Sequence, residues 1–157
     1  MADTQLHPSL QVIGWLLGRW EGQGVGLWST ESPFHFLDHM VFSHDGRPRV
    51  LYEQRTTGPD GGPSHLELGF ITPADDGTYH FTVASPIGIT EVLVGDLSGT
   101  ALQFSSVDVG HAPSTDDVTS IRRRLALDLD GALTAEVAIG VNGEEAAPHT
   151  ESHLSRR

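Results

Sequence analysis

The sequence contains no cysteine and no lysine, and its only methionines are Met1 and Met40. Without cysteine the chain cannot form disulfides, thiolate nucleophiles, iron–sulfur clusters or thiolate-bound zinc. Without lysine it lacks the amine that Schiff-base enzymes and Walker-type phosphate loops require. These two absences exclude several large classes of enzyme.

Positive charge is also scarce, because nine arginines stand against 21 acidic residues and the net charge is −12 at pH 7. Such a chain lacks the basic surface that attracts nucleic acids or anionic membranes, so we expect neither as a partner. The first ten residues, MADTQLHPSL, lack the basic segment and apolar run of a signal peptide. No apolar stretch approaches the roughly 18 residues of a membrane span. We therefore expect a cytoplasmic protein.

The length of 157 residues, with 38% hydrophobic and 19% charged residues, predicts one globular domain over residues 1–157. Only residues 7–18, HPSLQVIGWLLG, have the spacing of a helix, with Ser9 as N-cap and Gly18 as the stop. Residues 1–8 are expected to form a flexible N-terminal tail.

The rest of the chain predicts short strands joined by tight turns. Apolar and polar residues alternate in RVLYEQRT, HLELGFIT, TYHFTVAS, TALQFSS, SIRRRLAL and ALTAEVAI, and turns such as HDGRP and GPDGGP separate such segments. In HLELGFIT the residues that share a face are Leu66, Leu68 and Phe70. With four further segments, the pattern predicts an all-β, up-and-down antiparallel barrel of about ten strands, plugged by the N-terminal helix. About eight strands already hold one small ligand, so an internal cavity is expected.

The segment LLGRWEGQGVGLW, residues 16–28, places glycine at 18, 22, 24 and 26 beside Trp20 and Trp28. A dinucleotide-binding loop requires a different glycine spacing between a strand and a helix, which excludes that function. Glycines at every second residue lie on one face of a strand, where they let another segment or a ligand approach the backbone. We expect this bare face to allow close packing beside the two tryptophans at the barrel mouth. A tight bend at a barrel corner is the alternative.

The same segment resembles a family signature. GRWEGQG, which contains Gly18, Trp20, Gly22 and Gly24, is similar to the G-x-W-x-G-x-G motif of the nitrobindins, small ten-stranded β-barrel haem proteins. FSHDGRPRVLYEQRT, HLELGFIT and ASPIGITEV are similar to later segments of that family in the same order. The resemblance therefore covers nearly the whole chain.

The resemblance implies one ferric haem b per chain, held in an open cleft by a histidine near the C-terminus. It also implies that the iron binds nitric oxide and isomerises peroxynitrite to nitrate, so that the chain would be a haem-dependent peroxynitrite isomerase. We expect haem and small nitrogen oxides as partners, and a homodimer is kept open.

Histidine is the main candidate for the iron ligand, since cysteine is absent and nine histidines are present. The family's ligand lies in a terminal strand of the form His-Leu-x-Ala-x-Leu-x-Arg, and this chain ends in PHTESHLSRR. Alignment on Pro148 makes His149 the axial ligand, and His153 is the second choice because too few residues follow it. Being four residues apart, both are expected to face the same way on a strand. Both could instead be solvated terminal side chains.

Other residues are candidates for contact with the haem. Thr30, in the stretch after the glycine motif, is expected to touch the macrocycle. Arg123 lies in an alternating hydrophobic strand that would turn it inward, as the partner of a haem propionate; otherwise it is an exposed member of a three-arginine run. The chain departs from the family at Glu31, where an apolar residue is usual, and near Asp116, where a lysine is frequent.

A haem-free carrier is the alternative function. A barrel with an apolar interior could bind a fatty acid or another small hydrophobe, as lipocalin-like barrels do. That function needs no axial histidine and tolerates Glu31 at the entrance. It predicts no Soret absorbance and a cavity that is empty or filled by lipid.

Overall fold

Ten strands form a closed barrel in chain order, and β1 completes it by pairing with β10. Every neighbouring pair is antiparallel. The computed structural model describes residues 4–28, 32–115 and 117–157. The strands are β1 (Gly18–Gly26), β2 (Phe34–His44), β3 (Val50–Thr57), β4 (Pro63–Pro73), β5 (Tyr79–Ser85), β6 (Ile89–Ser98), β7 (Ala101–His111), β8 (Val118–Leu127), β9 (Leu133–Val141) and β10 (Ala147–Arg156). The predicted all-β, up-and-down barrel is confirmed.

The predicted N-terminal helix is present as a 3₁₀ helix, Pro8–Leu16. Its N-cap is His7 rather than Ser9, because the His7 ring nitrogen Nδ1 accepts the backbone N–H of Ser9 at 3.3 Å. Proline follows the cap, where its fixed φ suits the first helical turn and its missing N–H costs nothing. A second 3₁₀ helix, Pro113–Thr115, precedes β8. Among the described residues, neither helix has the length and apolar character needed to span a bilayer.

The N-terminal helix covers the end of the barrel at which the odd-numbered strands begin. Leu10, Ile13 and Leu16 are fully buried there, together with Trp20, whose indole N–H donates to the Leu16 carbonyl at 2.8 Å. Leu6, in the segment predicted to be a flexible tail, packs against the same cluster. The mobility of that tail stays a prediction. The core therefore fills one end of the barrel, which we call the closed end.

The glycine-rich face of β1 runs from the closed end towards the other end. A Cβ at Gly22 would lie 1.9 Å from the backbone carbonyl oxygen of His153, so β10 approaches here more closely than a side chain would permit. A Cβ at Gly24 or Gly26 would meet the rings of Phe36 and Trp28, at 2.2 and 2.1 Å. Close packing on the bare face is confirmed. Only part of it lies at the barrel mouth, because Trp20 is buried at the closed end.

In strand β4, the apolar side chains that share a face in the sequence point out of the barrel rather than into it. Leu68 and Phe70 are about half exposed on the outside of the barrel, whereas Glu67 and Ile71 are buried inside. The apolar face of HLELGFIT is therefore its outer face. A charged residue occupies an inward position on this strand because partners from other strands neutralise it.

Candidate functional site

The end of the barrel opposite the N-terminal helix, which we call the open end, encloses a cavity of about 360 Å³. Cavities of this size are typical of small-ligand sites. Most of its wall is aromatic or aliphatic, formed by Phe34, Phe36, Ile89, Ile121, Val137 and Ile139. His65, His149 and Thr150 add polar groups to the wall, and Glu67, Glu91 and Arg123 form the polar floor.

His149 reaches the cavity because β10 is irregular beside it. The register of β10 against β9 shifts between Pro148 and Thr150. Further along the strand, Ser152 and Leu154 are buried inside the barrel and His153 is exposed outside it. Regular alternation would place His149 outside with His153, but a bulge re-aims the side chain of the extra residue. The bulge therefore places this ring on the inner wall.

His153 has a different environment, on the outer surface. Its side chain is 64% exposed, and Nε2 lies 2.8 Å from Oε1 of Glu151. The prediction that His149 and His153 face the same way is wrong, because the bulge interrupts the alternation between them. Of the two candidate ligands, only His149 lines the cavity.

The His149 ring is held by stacking rather than by hydrogen bonds. Its centroid lies 4.8 Å from that of the Trp28 ring, at an interplanar angle of 30°. Trp28 in turn packs over Gly26, where any larger residue would displace it. No hydrogen bond joins the His149 ring nitrogens to any residue in the described parts of the chain. Burial lowers the pKa of His149, and electrostatic repulsion from His65 lowers it further. The neutral form of the ring, which binds metals, is therefore favoured.

Arg123 lies inside the barrel, as its strand alternation predicted, with only 6% of its surface exposed. Its guanidinium donates two hydrogen bonds to Glu67, at 2.9 and 2.8 Å, and two to Glu91, at 2.7 and 2.6 Å. Burial alone would raise the pKa of Glu67, but Arg123 and a hydrogen bond from His65 hold it well below its usual range. Burial would likewise lower the pKa of Arg123, yet the two carboxylates raise it well above its usual value.

The charge on Arg123 is therefore already balanced by two buried carboxylates. A guanidinium with four of its hydrogen bonds committed has little left to offer a haem propionate. Its predicted propionate contact stays a prediction, and the geometry favours a structural role instead. The sequence did not point to Glu67 and Glu91 as its partners, although each alternates with inward residues on its own strand.

The buried network continues across the barrel. Tyr52 donates to Glu67 at 2.9 Å, and Gln54 and Ser152 donate to one carboxylate oxygen of Asp38 at 2.8 and 2.6 Å. Burial raises the pKa of Asp38, although these two hydrogen bonds partly offset the effect. We call this set the polar layer, since it lies between the apolar core and the cavity. Its members are Asp38, Tyr52, Gln54, Glu67, Glu91, Arg123 and Ser152.

Three residues singled out in the sequence lie outside the described residues. Thr30 and Glu31 fall in the gap between 28 and 32, and Asp116 falls between 115 and 117. The predicted contact of Thr30 with the macrocycle therefore stays a prediction.

Comparison with known proteins identifies the family to which this barrel belongs. Residues 9–156 match the model of the THAP4-like, heme-binding beta-barrel domain. The chain belongs to this family. Its membership confirms the resemblance to the nitrobindins and identifies the chain as a haem-binding β-barrel domain.

Individual members of the family show the same similarity over their whole length. Peroxynitrite isomerase 1 of Mycolicibacterium paratuberculosis and peroxynitrite isomerase 2 of Mycobacterium avium are each 35% identical to this chain, over 98% of both sequences. The crystal structure of Rv2717c from M. tuberculosis matches with a TM-score of 0.85 and 32% identity. That match covers 98% of this chain and 99% of the other.

The open end of this haem-binding domain has the groups that a haem requires. His149 offers a neutral imidazole without a competing hydrogen bond from the described residues, and imidazole is a common protein ligand of haem iron. The aromatic and aliphatic wall suits the apolar face of a porphyrin. The residues present therefore fit the group: His149 could hold the iron, and Trp28 stacks on its ring.

Proposed function

We propose that the chain binds one ferric haem b at the open end through His149, and isomerises peroxynitrite to nitrate there. The observation that carries the proposal is the bulge in β10, which turns into an apolar cavity a histidine whose ring has no hydrogen-bond partner among the described residues. Two relatives at 35% identity are named peroxynitrite isomerases, which supports the reaction. Nitric oxide is proposed as a second ligand of the same site.

Bound ferric haem would supply a Lewis-acid centre for the peroxynitrite anion and a binding site for nitric oxide. The protein's part is to hold and shield that centre. His149 provides a ring nitrogen, and the stacked Trp28 limits rotation of the ring. The aromatic and aliphatic wall lowers the local dielectric constant, so electrostatic attraction to a small anion is less screened there than in bulk water.

Titration of the purified protein with hemin, followed by Soret absorbance, tests the proposed ligand. The wild type and His153→Ala should give the same saturable ferric band, because His153 lies outside the cavity. His149→Ala should lose it. His153→Ala is a matched control, since it removes the same side chain from the same strand.

A specific band that survives in His149→Ala would contradict the proposed ligand. The absence of any specific band in the wild type would contradict haem binding. A fluorescent fatty acid should then be tested against the same cavity, because its saturable binding would favour the carrier function. The reaction itself is tested by mixing the haem-loaded protein with peroxynitrite, which should decay faster and give a higher yield of nitrate over nitrite than in buffer.

A further inference from the structure

A second histidine faces His149 across the cavity. His65 lies on β4 and His149 on β10, and both line the same space. In the closed order of ten strands, β1, β2 and β3 separate β4 from β10. Strands so placed are on nearly opposite walls of a ten-stranded barrel. The two rings therefore lie on either side of the space in which a group held by His149 would be bound.

The position of His65 is fixed by two contacts. Its backbone N–H donates to the hydroxyl of Thr56 at 2.9 Å, and its ring nitrogen Nε2 lies 3.0 Å from Oε1 of Glu67. Because Arg123 keeps Glu67 ionised, that carboxylate can only accept a hydrogen bond, and Nε2 must carry the proton. The other nitrogen, Nδ1, has no hydrogen-bond partner within the described residues.

This histidine–carboxylate pair differs from two others found among the described residues. His39 pairs with Glu21, and His153 with Glu151, but all four of those side chains are 36–64% exposed. Glu67 is only 8% exposed and is itself held by Arg123. A surface pair contributes little and reorients freely, whereas a buried carboxylate fixes the tautomer and the plane of its imidazole.

We propose that His65, oriented by Glu67, accepts the proton of an acidic ligand that enters the cavity and then holds the resulting anion opposite His149. The inference rests on the proposed function, since the ligand in question is peroxynitrite in its protonated form. Among the described residues, the other charged or titratable groups that face His65 across the cavity are Glu91, Arg123 and His149.

The proton balance of this step is simple. The O–H bond of peroxynitrous acid breaks, its electron pair stays on the peroxo oxygen, and the proton goes to Nδ1 of His65. The imidazolium donates an N–H to the anion. The ionised Glu67 stabilises the positive charge of the imidazolium. The proton returns to solvent when nitrate leaves, and no electron is transferred. Positioned proton acceptors of this kind accelerate reactions by about 10²- to 10⁴-fold.

Two ligands of the haem-loaded protein, cyanide and nitric oxide, distinguish a loss of proton transfer from a change in the access of ligands to the cavity. Cyanide at neutral pH is present mainly as hydrogen cyanide, which must lose its proton to bind ferric iron, whereas nitric oxide carries no proton. His65→Leu should slow the association of cyanide by about 10²-fold and leave that of nitric oxide nearly unchanged. His80→Leu is the matched control, because His80 is an exposed histidine on the outer face of β5 and should change neither rate.

The outcomes distinguish this inference from the proposed function. Equal slowing of both ligands, or no slowing of cyanide, would overturn the role of His65 while haem binding stands. A wild type without a Soret band would overturn the proposed function and the inference with it. A nitrogen-15 NMR spectrum of the haem-free protein gives an independent test, because the His65 ring should carry its proton on Nε2. A neutral His65 ring protonated on Nδ1 would also overturn the inference.

Discussion

The closed and open ends of the barrel are built from the same ten strands, yet their side chains differ in exposure and in hydrogen bonding. At the closed end, core side chains such as Trp20 have no exposed surface, and the indole N–H of Trp20 has its acceptor, although the buried indole N–H of Trp15 has none among the described residues. At the open end, Trp28 is 55% exposed and the ring nitrogens of His149 have no partner among the described residues. Polar groups without hydrogen-bond partners are tolerated only where other parts of the fold supply the stability. The closed end therefore stabilises a scaffold on which the open end can keep reactive groups free.

The polar layer separates the two ends. At its centre, the guanidinium of Arg123 pairs with the carboxylates of Glu67 and Glu91. This cluster of three charges spans β8, β4 and β6. Partners on three strands fix how those strands face one another, so the layer specifies the geometry of the cavity floor. Its residues also line the cavity at the open end and pack against the apolar core at the closed end.

The largest effect is expected from Trp20→Ala at the closed end. Removal of a fully buried tryptophan that also donates a hydrogen bond should lower the free energy of unfolding by about 3–5 kcal/mol. Urea denaturation followed by circular dichroism measures it. Trp28→Ala is the matched control, because removal of a half-exposed tryptophan should change the same quantity by about 1 kcal/mol or less. Equal losses in the two variants would remove the proposed division between the ends.

Arg123→Leu tests the polar layer. It leaves the carboxylates of Glu67 and Glu91 buried without their cation, which should cost about 3–5 kcal/mol at neutral pH. In the wild type the pKa of Glu67 is lowered, so its ionised form contributes stability that is present at neutral pH and lost as pH falls below the usual carboxyl range. The variant lacks that contribution, and acid relieves its unpaired charges.

The difference in unfolding free energy between the wild type and Arg123→Leu should therefore shrink on acidification. Denaturation series at neutral and acidic pH check this directly. A difference that stays constant, or grows in acid, would mean that the carboxylates do not depend on Arg123.

The closed end was largely predictable from the sequence, and the open end much less so. Local alternation and turn residues indicate strands and their order, and a helix with apolar spacing indicates its buried face. These patterns depend on neighbours in the chain, which the sequence displays. That is why the barrel, its strand number and its N-terminal plug follow from the sequence.

The site depends on contacts between distant strands. Nothing in PHTESHLSRR marks the bulge that separates His149 from His153, because a bulge is defined by the register with β9. The inward position of Glu67 could have been inferred from Ile71 on the same face, but its partner Arg123 is 56 residues away. The apolar Leu68 and Phe70 made the opposite face of β4 look like the buried one, but both side chains lie on the outer surface of the barrel.

Two glycine substitutions on one face of β1 should have different effects on stability and on hemin binding. In Gly22→Ala the new methyl group would collide with the backbone carbonyl of His153, so β10 must move and the free energy of unfolding should fall by about 1–3 kcal/mol. In Gly26→Ala the collision is with the side chain of Trp28, which can swing into solvent. That variant should largely keep its stability and bind hemin a few-fold more weakly, because the displaced indole no longer stacks on His149. Parallel urea and hemin titrations check both; a large loss of stability in Gly26→Ala would mean that Trp28 is held as part of the core.

The smallest expected effect concerns the stacking of Trp28 on His149. Without the indole, the imidazole can rotate away from the orientation that it has in the cavity, so part of the binding energy must be used to order it again. An aromatic contact of this kind contributes about 1 kcal/mol, so Trp28→Ala should weaken hemin binding close to fivefold, at roughly unchanged stability. Trp28→Phe keeps a flat ring in the same place and should recover most of the affinity. If both variants bind hemin as the wild type does, Trp28 does not orient the ligand, and the bulge in β10 alone must fix His149.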